Sequence, residues 1–213
     1  MAAAEDLVTV IASNCTPWVA PEGTTQPLLG TNPFCIGIPA TDTPIIYDIG
    51  TSKIIHAQVV LARRLGQTLP EDVLYDANGK SITDPNEAFN GPGGALSAAL
   101  AVWGGAKGSG LALAVQLLGV LAGSPALPPS LENFGFLIMV VNPAMFRPME
   151  EFKEEVDKMK EAYHAAPSLT GAPMRVPFER SDKVRAENRS RGAIEVYAEV
   201  VERLKALRSN SRQ

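Results

Sequence analysis

The chain has 213 residues, of which 46% are hydrophobic and 20% charged. This composition is typical of a globular protein long enough to bury one sizeable core. The net charge of −4 argues against nucleic acid as the main partner, because binding to phosphate backbones requires a basic surface. The longest apolar stretch, from Gly110 to Gly123, is too short to span a bilayer, so we interpret it as a buried helix and expect no membrane partner.

The first apolar runs of the chain predict short strands. Val8 to Ala12 is rich in β-branched residues, and Phe34 to Ile38 and Ile45 to Asp48 are apolar runs of strand length separated by a turn. The last two are predicted to be adjacent buried strands. From Thr51 to Arg64 the apolar period changes to that of a helix, which Gly66 is expected to end.

The middle of the chain alternates turns with longer elements. Tyr75 to Lys80 is a turn signal, and Asp84 to Phe89 predicts one capped helical turn with proline at its first position. Leu111 to Leu121 predicts a helix and Phe136 to Val141 a strongly apolar strand. Trp103 lies in the apolar run just before Gly104 and is expected to pack in the core.

The C-terminal third is predicted to be helical. Pro148 to Tyr163 has the apolar spacing of an amphipathic helix, and two polar helices follow over Ser181 to Arg191 and Ile194 to Leu207. We therefore predict a single compact α/β domain over residues 1–207, with a mixed sheet of apolar strands flanked by helices. Residues 208–213 are expected to form a frayed tail.

The cysteines and the N-terminal residues indicate the cellular compartment in which the protein is expected. Cys15 and Cys35 are the only cysteines and lack the spacing of metal ligands, so reduced thiols and no metal site are expected. The first residues are acidic and lack the basic region of a signal peptide. A cytoplasmic location is the resulting expectation.

The glycine-rich stretch from Gly104 to Leu111 carries the clearest chemical signal. Its glycines allow close approach of a ligand to the backbone, and Lys107 stands where an apolar helix begins. Free N–H groups at a helix start, the positive end of the helix dipole and a lysine together favour an anion, typically a phosphate. The spacing fits neither the Walker motif nor Gly-x-Gly-x-x-Gly, and a plain packing turn is the alternative.

Further motifs in the same order give this chain a family resemblance. Gly30-Thr31-Asn32-Pro33, the run from Pro44 to Ser52, and Asn133-Phe134-Gly135-Phe136 through Asn142-Pro143 flank the glycine-rich stretch. In this order the chain resembles the malate/L-lactate dehydrogenase family from about Val8 to about Ala193. The resemblance implies the non-Rossmann NAD(P)-binding core of that family, binding of NAD or NADP, and a homodimer whose active site draws on both subunits. It also implies hydride transfer to or from a small 2-oxo acid, 2-hydroxy acid or cyclic imine.

The resemblance assigns roles to individual residues. Gly50, Thr51, Ser52 and Lys107 match cofactor-contacting positions, and Glu179 falls, more weakly, where relatives have a Gly-Glu cofactor loop; Thr51 or Ser52 could instead only cap the following helix. Asp48 matches an acid near the active centre, expected to be buried, where it could orient a substrate or relay a proton. A structural aspartate is the alternative. His56, near this stretch, is a candidate surrogate base, and a plain packing residue is its alternative.

Departures from the family pattern leave other functions open. Relatives carry an N-terminal segment with a Ser-His-Gly motif, and neither His56 nor His164 matches it, so we expect an N-terminally truncated member without the usual catalytic histidine segment. Cys15 stands where relatives have a hydroxyl. One alternative is a repurposed non-redox enzyme, a lyase, isomerase or cyclase of a biosynthetic pathway, and another is a non-catalytic nucleotide-binding remnant.

Overall fold

The computed structural model describes residues 2–210, and the side chains up to residue 208. Their contacts separate the chain into two compact units, with the division after Pro177. The predicted single domain over residues 1–207 and its frayed tail stay predictions. Helix α5 continues through Asn210, and residues 211–213 of the predicted tail lie outside the described residues.

The first unit contains seven strands and three helices among its described residues. The strands are β1 (Val8–Ser13), β2 (Val19–Ala20), β3 (Phe34–Ile38), β4 (Ile45–Ile49), β5 (Leu74–Tyr75), β6 (Ala99–Ala101) and β7 (Phe136–Val141). The helices are α1 (His56–Leu65), α2 (Gly105–Leu121) and α3 (Met149–Ala165). The second unit contains α4 (Glu179–Arg191) and α5 (Ala198–Asn210). The predicted α/β class is confirmed.

The strands form two sheets. The larger is antiparallel, in the order β4-β3-β1-β7, and the smaller has the order β2-β6-β5, with β2 parallel and β5 antiparallel to β6. Phe34 pairs with Ile49 and Ile38 with Ile45, so the two apolar runs predicted to be adjacent strands are neighbours. They are half-buried rather than buried, and Asp48 is exposed.

The hydrophobic core lies around the smaller sheet and α1. Its fully buried members include Val19, Val59, Leu74 and Leu100, each at 0% exposure. Helix α2 contributes Ala112 to this core. The small sheet and α1 therefore form the packed centre, and α2, which begins in the glycine-rich stretch, packs against it through Ala112.

Helix α1 begins later than its apolar period predicts. The period starts at Thr51, but the helix starts at His56, because tertiary hydrogen bonds hold the preceding residues extended: Thr51 N–H donates to the carbonyl of Thr31, and Ser52 pairs with Val102. The predicted end is confirmed. Gly66 adopts a left-handed φ of 62° and its N–H donates to the carbonyls of the last turn.

Three apolar segments are more exposed than predicted. Leu113, Leu117 and Leu121, spaced one turn apart on α2, are 51%, 55% and 74% exposed, so this helix is buried on one face only. Strand β7 is the edge of the large sheet, and five of its six side chains are exposed. Trp103 is 49% exposed and does not pack in the core, because it lies in the turn just ahead of α2.

Candidate functional site

The candidate site is formed where the turn after β4 meets the start of α2. Thr51 is fully buried and its N–H and Oγ1 both lie within hydrogen-bond distance of the Thr31 carbonyl oxygen, at 2.8 and 3.1 Å. The Thr51 carbonyl accepts from the backbone N–H of Trp103 at 2.9 Å. The structure therefore brings the Gly50–Ser52 turn next to the glycine-rich stretch, as the cofactor interpretation requires.

The Ser52 hydroxyl shares one feature with those of Thr9 and Thr16: each is buried without a hydrogen-bond partner among the described residues. An unpartnered buried hydroxyl raises the free energy of the fold by roughly 1–3 kcal/mol. The role of Ser52 as a cofactor contact stays a prediction.

The glycines at the start of α2 are required by geometry. Gly104 and Gly105 have left-handed φ angles of 72° and 59°, a region that favours glycine. A Cβ on Gly108 would stand only 1.4 Å from the Trp103 carbonyl oxygen. These residues turn the chain sharply into the helix and leave the first N–H groups of α2 without intrahelical partners, as at every helix N-terminus.

Lys107 lies in the first turn of α2 and is exposed. Within residues 2–210 its ammonium makes no hydrogen bond or ion pair, so it is available to an anion. A nicotinamide dinucleotide has a pyrophosphate and several hydroxyl groups, and the donor set of Ser52, Lys107 and helix N–H groups suits these oxygens.

A carboxylate that the sequence did not reveal also lies at this helix start. The Glu22 carboxyl carbon is 3.9 Å from the position a Cβ on Gly105 would take, and the Glu22 backbone N–H donates to Ser109 Oγ at 2.8 Å. Its negative charge is favourable beside the positive end of α2. The Pro21-Glu22-Gly23 turn is visible in the sequence, but nothing there links it to residues more than eighty positions away.

The loop that supports Thr51 is held by buried amide side chains. Asn32 Nδ2 donates to Gln116 Oε1 at 2.8 Å and to the Ala112 carbonyl at 2.9 Å, which ties this loop to α2. Gln116 Oε1 also accepts from Gly30 N–H at 3.3 Å. Cys15 also holds this loop, because its Sγ accepts a hydrogen bond from Thr31 N–H at 3.3 Å. The thiol is thus a hydrogen-bond acceptor at a position where we expect a hydroxyl in relatives.

Asp48 and His56, the two candidate catalytic residues, lie in different surroundings. Asp48 is exposed on the edge strand β4, contrary to the buried carboxylate that we expected, and lies opposite Cys35. Burial and the Asp48 charge raise the pKa of the Cys35 thiol. No hydrogen bond within the described chain connects Asp48 to His56.

His56 is the first residue of α1 and is packed among aromatic rings. Its ring is stacked on Trp18 with centroids 4.5 Å apart and meets the edge of Phe89 at 5.9 Å. Burial lowers the pKa of His56 below its ordinary value of 6.5. The neutral imidazole, a proton acceptor, is therefore the form that this packing favours.

Glu179 lies at the start of α4, in the second unit. Its assignment to the cofactor site stays a prediction. Within residues 2–210, no three His, Cys, Asp or Glu side chains are grouped so that they could hold a metal ion. No helix in that range combines the length and apolar character needed to cross a membrane.

Comparison with known proteins places this chain and its fold in a family. Residues 1–205 match the family described as malate/L-lactate dehydrogenase. The chain therefore belongs to the malate/L-lactate dehydrogenase family.

Relatives and solved structures give the range of the similarity. Malate/(S)-sulfolactate dehydrogenase of Methanothermus fervidus is 30% identical over 216 residues, which cover 97% of this chain and 60% of the relative. Delta(1)-pyrroline-2-carboxylate reductase of Agrobacterium fabrum is 34% identical over 196 residues, which cover 85% and 53%. The crystal structure of a dehydrogenase from Sinorhizobium meliloti matches with a TM-score of 0.85 at 29% identity, over 97% of this chain and 60% of that one. The chain thus spans 60% or less of the length of these three proteins.

Proposed function

We propose that this protein is an NAD(P)-dependent oxidoreductase that transfers a hydride to or from a 2-oxo acid, a 2-hydroxy acid or a cyclic imine. The observation that carries the proposal is the meeting of the Gly50–Ser52 turn with the start of α2. It places the turn that carries the buried Ser52 hydroxyl against the segment that leads into α2, the helix whose first turn holds the available ammonium of Lys107 and unpaired N–H groups. Both the dehydrogenase and the reductase among the relatives are in keeping with this reaction class.

In this proposal the chain's own residues bind and orient. Lys107 and the first N–H groups of α2 hold phosphate oxygens, and Ser52 donates from the buried turn. Thr51 keeps that turn in place through its bonds to Thr31 and Trp103. When bound, the nicotinamide group would supply the hydride acceptor or donor.

A proton must move when hydride is exchanged with a carbonyl carbon. His56 is the first proposed acceptor, because burial favours its neutral form and a neutral imidazole can take the proton of a substrate hydroxyl. Asp48 is the second candidate, proposed to orient a polar substrate or relay a proton from its exposed position on β4.

We also propose that the protein acts as a homodimer. The exposed apolar side chains of β7 and of one face of α2 support this, because large exposed apolar patches on folded proteins commonly mark interfaces.

The test of the cofactor site is the variant Lys107→Ala. Losing a charge-assisted hydrogen bond should weaken binding of NADH or NADPH by about ten- to a hundredfold, with little change in thermal stability because Lys107 is exposed. Titration with either dinucleotide, followed by nicotinamide fluorescence, measures this. Lys158→Ala, which removes an exposed lysine from α3, is the control.

Turnover separates the proposal from its alternatives. Oxidation or reduction of pyruvate-like acids or cyclic imines, monitored at the nicotinamide absorbance, supports the redox function. Binding without turnover would favour a nucleotide-binding remnant, and equal dinucleotide affinity in Lys107→Ala and the parent would contradict the proposed cofactor site.

A further inference from the structure

A second cleft lies along α1, from His56 at the start of the helix to Arg64 near its end. It has a volume of about 580 Å³ and is formed by α1 and the segment from Asn86 to Leu96. His56 and Phe89 contribute aromatic walls, and Arg63 and Arg64 contribute the charge. A volume of this size accommodates a small organic ligand.

The charge of this cleft has one sign. Two guanidinium groups line it and no carboxylate does, in a protein whose net charge is −4. The acids of this part of the chain, Asp84 and Glu87, are not part of the lining, and Asp84 accepts from both the backbone N–H and the side-chain amide of Asn86, at 2.9 Å each. Basic residues in a last helical turn also stabilise the helix dipole, but that role does not require them to border a cavity.

The two arginines differ in how they are held. Arg63 is fixed, since its Nε donates to Asn86 Oδ1 at 3.3 Å and its guanidinium lies 4.9 Å from the centre of the Phe89 ring. Arg64 has no hydrogen-bond or ion-pair partner within the described part of the chain. One guanidinium is therefore oriented in advance and the second is available to close on a ligand.

We propose that this cleft binds a phosphate monoester. A phosphate monoester offers three terminal oxygens and close to two negative charges, which match two adjacent guanidinium groups, whereas a single carboxylate would leave one of them unpaired. The phosphate can belong to a separate metabolite or to the 2′-phosphate of NADP. The chemistry of recognition is the same, and the site itself does not depend on the proposed redox function.

Two tryptophans allow the cleft to be observed separately. Trp18 stacks on His56 at the cleft, whereas Trp103 precedes α2 at the candidate cofactor site. In a Trp103→Phe background, Trp18 fluorescence reports on the cleft alone. The ring signals of His56 in NMR give a second reading, with those of His164 as an internal reference.

The probe is inorganic phosphate, titrated at constant ionic strength. We expect it to shift the His56 signals and the Trp18 emission saturably in the millimolar range. Arg64→Gln should weaken this binding by about tenfold or more, and Arg147→Gln, an equal loss of charge at an exposed position just before α3, should leave it unchanged. Lys107→Ala should also retain phosphate binding, so failure of the cofactor proposal would be recognised separately.

Comparison of the dinucleotides then identifies the source of the phosphate. If it belongs to NADP, Arg64→Gln weakens NADPH binding and spares NADH. If it belongs to a separate ligand, the variant binds both dinucleotides normally but loses phosphate. The proposal is overturned if phosphate leaves His56 and Trp18 unchanged at tens of millimolar, or if Arg64→Gln and Arg147→Gln reduce its binding equally.

Discussion

At the level of single residues, Gln116 connects more of the site than any motif residue does. Its Oε1 accepts from Asn32 and Gly30, and its Nε2 donates to the Ala126 carbonyl at 2.8 Å. The side chain is 3% exposed, so water cannot replace these partners. Gln116 therefore fixes the loop on which Thr51 rests.

Replacing Gln116 by Met should destabilise the fold, although the side chains have similar volumes. The change leaves the buried amide of Asn32 and the N–H of Gly30 without their acceptor, at a cost of about 2–4 kcal/mol. Urea unfolding measures the loss. Gln67→Met, on the exposed loop after α1, should cost little; equal stability of the two variants would show that the amide contacts contribute nothing.

His56 predicts a pH dependence of stability. Burial lowers its folded-state pKa below the ordinary 6.5, so between these two values the unfolded chain binds more protons than the folded protein. The contribution of His56 to the free energy of unfolding is therefore fully present above about pH 6.5 and declines as the pH falls toward the folded-state pKa.

This pH dependence can be isolated with His56→Phe, which keeps an aromatic ring against Trp18. The free energy of unfolding, measured with denaturant between about pH 5 and 7.5 around the histidine pKa, should change less steeply with pH in the variant. His164→Gln, which leaves His56 in place, should retain the larger slope. An unchanged slope in His56→Phe would contradict the assigned pKa shift.

Among the elements, α2 does most to connect the molecule, since it carries the candidate site at its start and crosses the large sheet further along. Helix α2 and the sheet approach each other closely at this crossing because glycine residues lie at the contact. A Cβ on Gly119 would lie 2.2 to 2.6 Å from atoms of the Asn14 side chain, and a Cβ on Gly135 would lie 2.0 Å from the Gly119 carbonyl oxygen. Asn14 cannot move aside, because it accepts from Gly135 N–H and donates to Ser124 Oγ.

Two alanine substitutions within α2 should therefore have opposite effects. Gly119→Ala should destabilise the fold by about 2 kcal/mol or more through overpacking. At Gly110 an added Cβ meets nothing within 4 Å, so Gly110→Ala should stabilise by about 0.5–1 kcal/mol through helix propensity. Melting temperatures of the two variants check this directly, and a stable Gly119→Ala would mean that the crossing relaxes without cost.

For the molecule as a whole, the largest sheet ends in an exposed apolar edge. Ile138 and Val140 on β7 are 55% and 51% exposed, and an apolar edge strand can pair with another chain. The proposed homodimer would cover this surface.

Introducing a charge on this edge tests the dimer. We expect the parent protein to elute as a dimer at micromolar concentration and Val140→Lys to shift the equilibrium toward the monomer, because a lysine disfavours edge-to-edge pairing. Size-exclusion chromatography with light scattering measures both, and Asn78→Lys on an exposed turn is the control. A parent protein that stays monomeric would contradict the proposal.

The sequence by itself determined the elements with strong local signals. The strands Phe34–Ile38 and Phe136–Val141 begin and end where their apolar runs do, and Gly66 and Asp84 end and cap helices as their residue types predict. The family could also be identified, because short motifs keep their order along the chain. These features depend on backbone conformation and side-chain chemistry within a few residues.

Only the tertiary structure decided which of these elements are buried and which residues meet. Trp103 and the leucines of α2 are as apolar as core residues, yet they lie on the surface because the core formed around the smaller sheet. Glu22 at the start of α2, and Gln116 beneath the Thr31 loop, are brought to the site by contacts across more than eighty residues. Burial and such contacts depend on how distant segments pack, and that information is not contained in any local stretch of the chain.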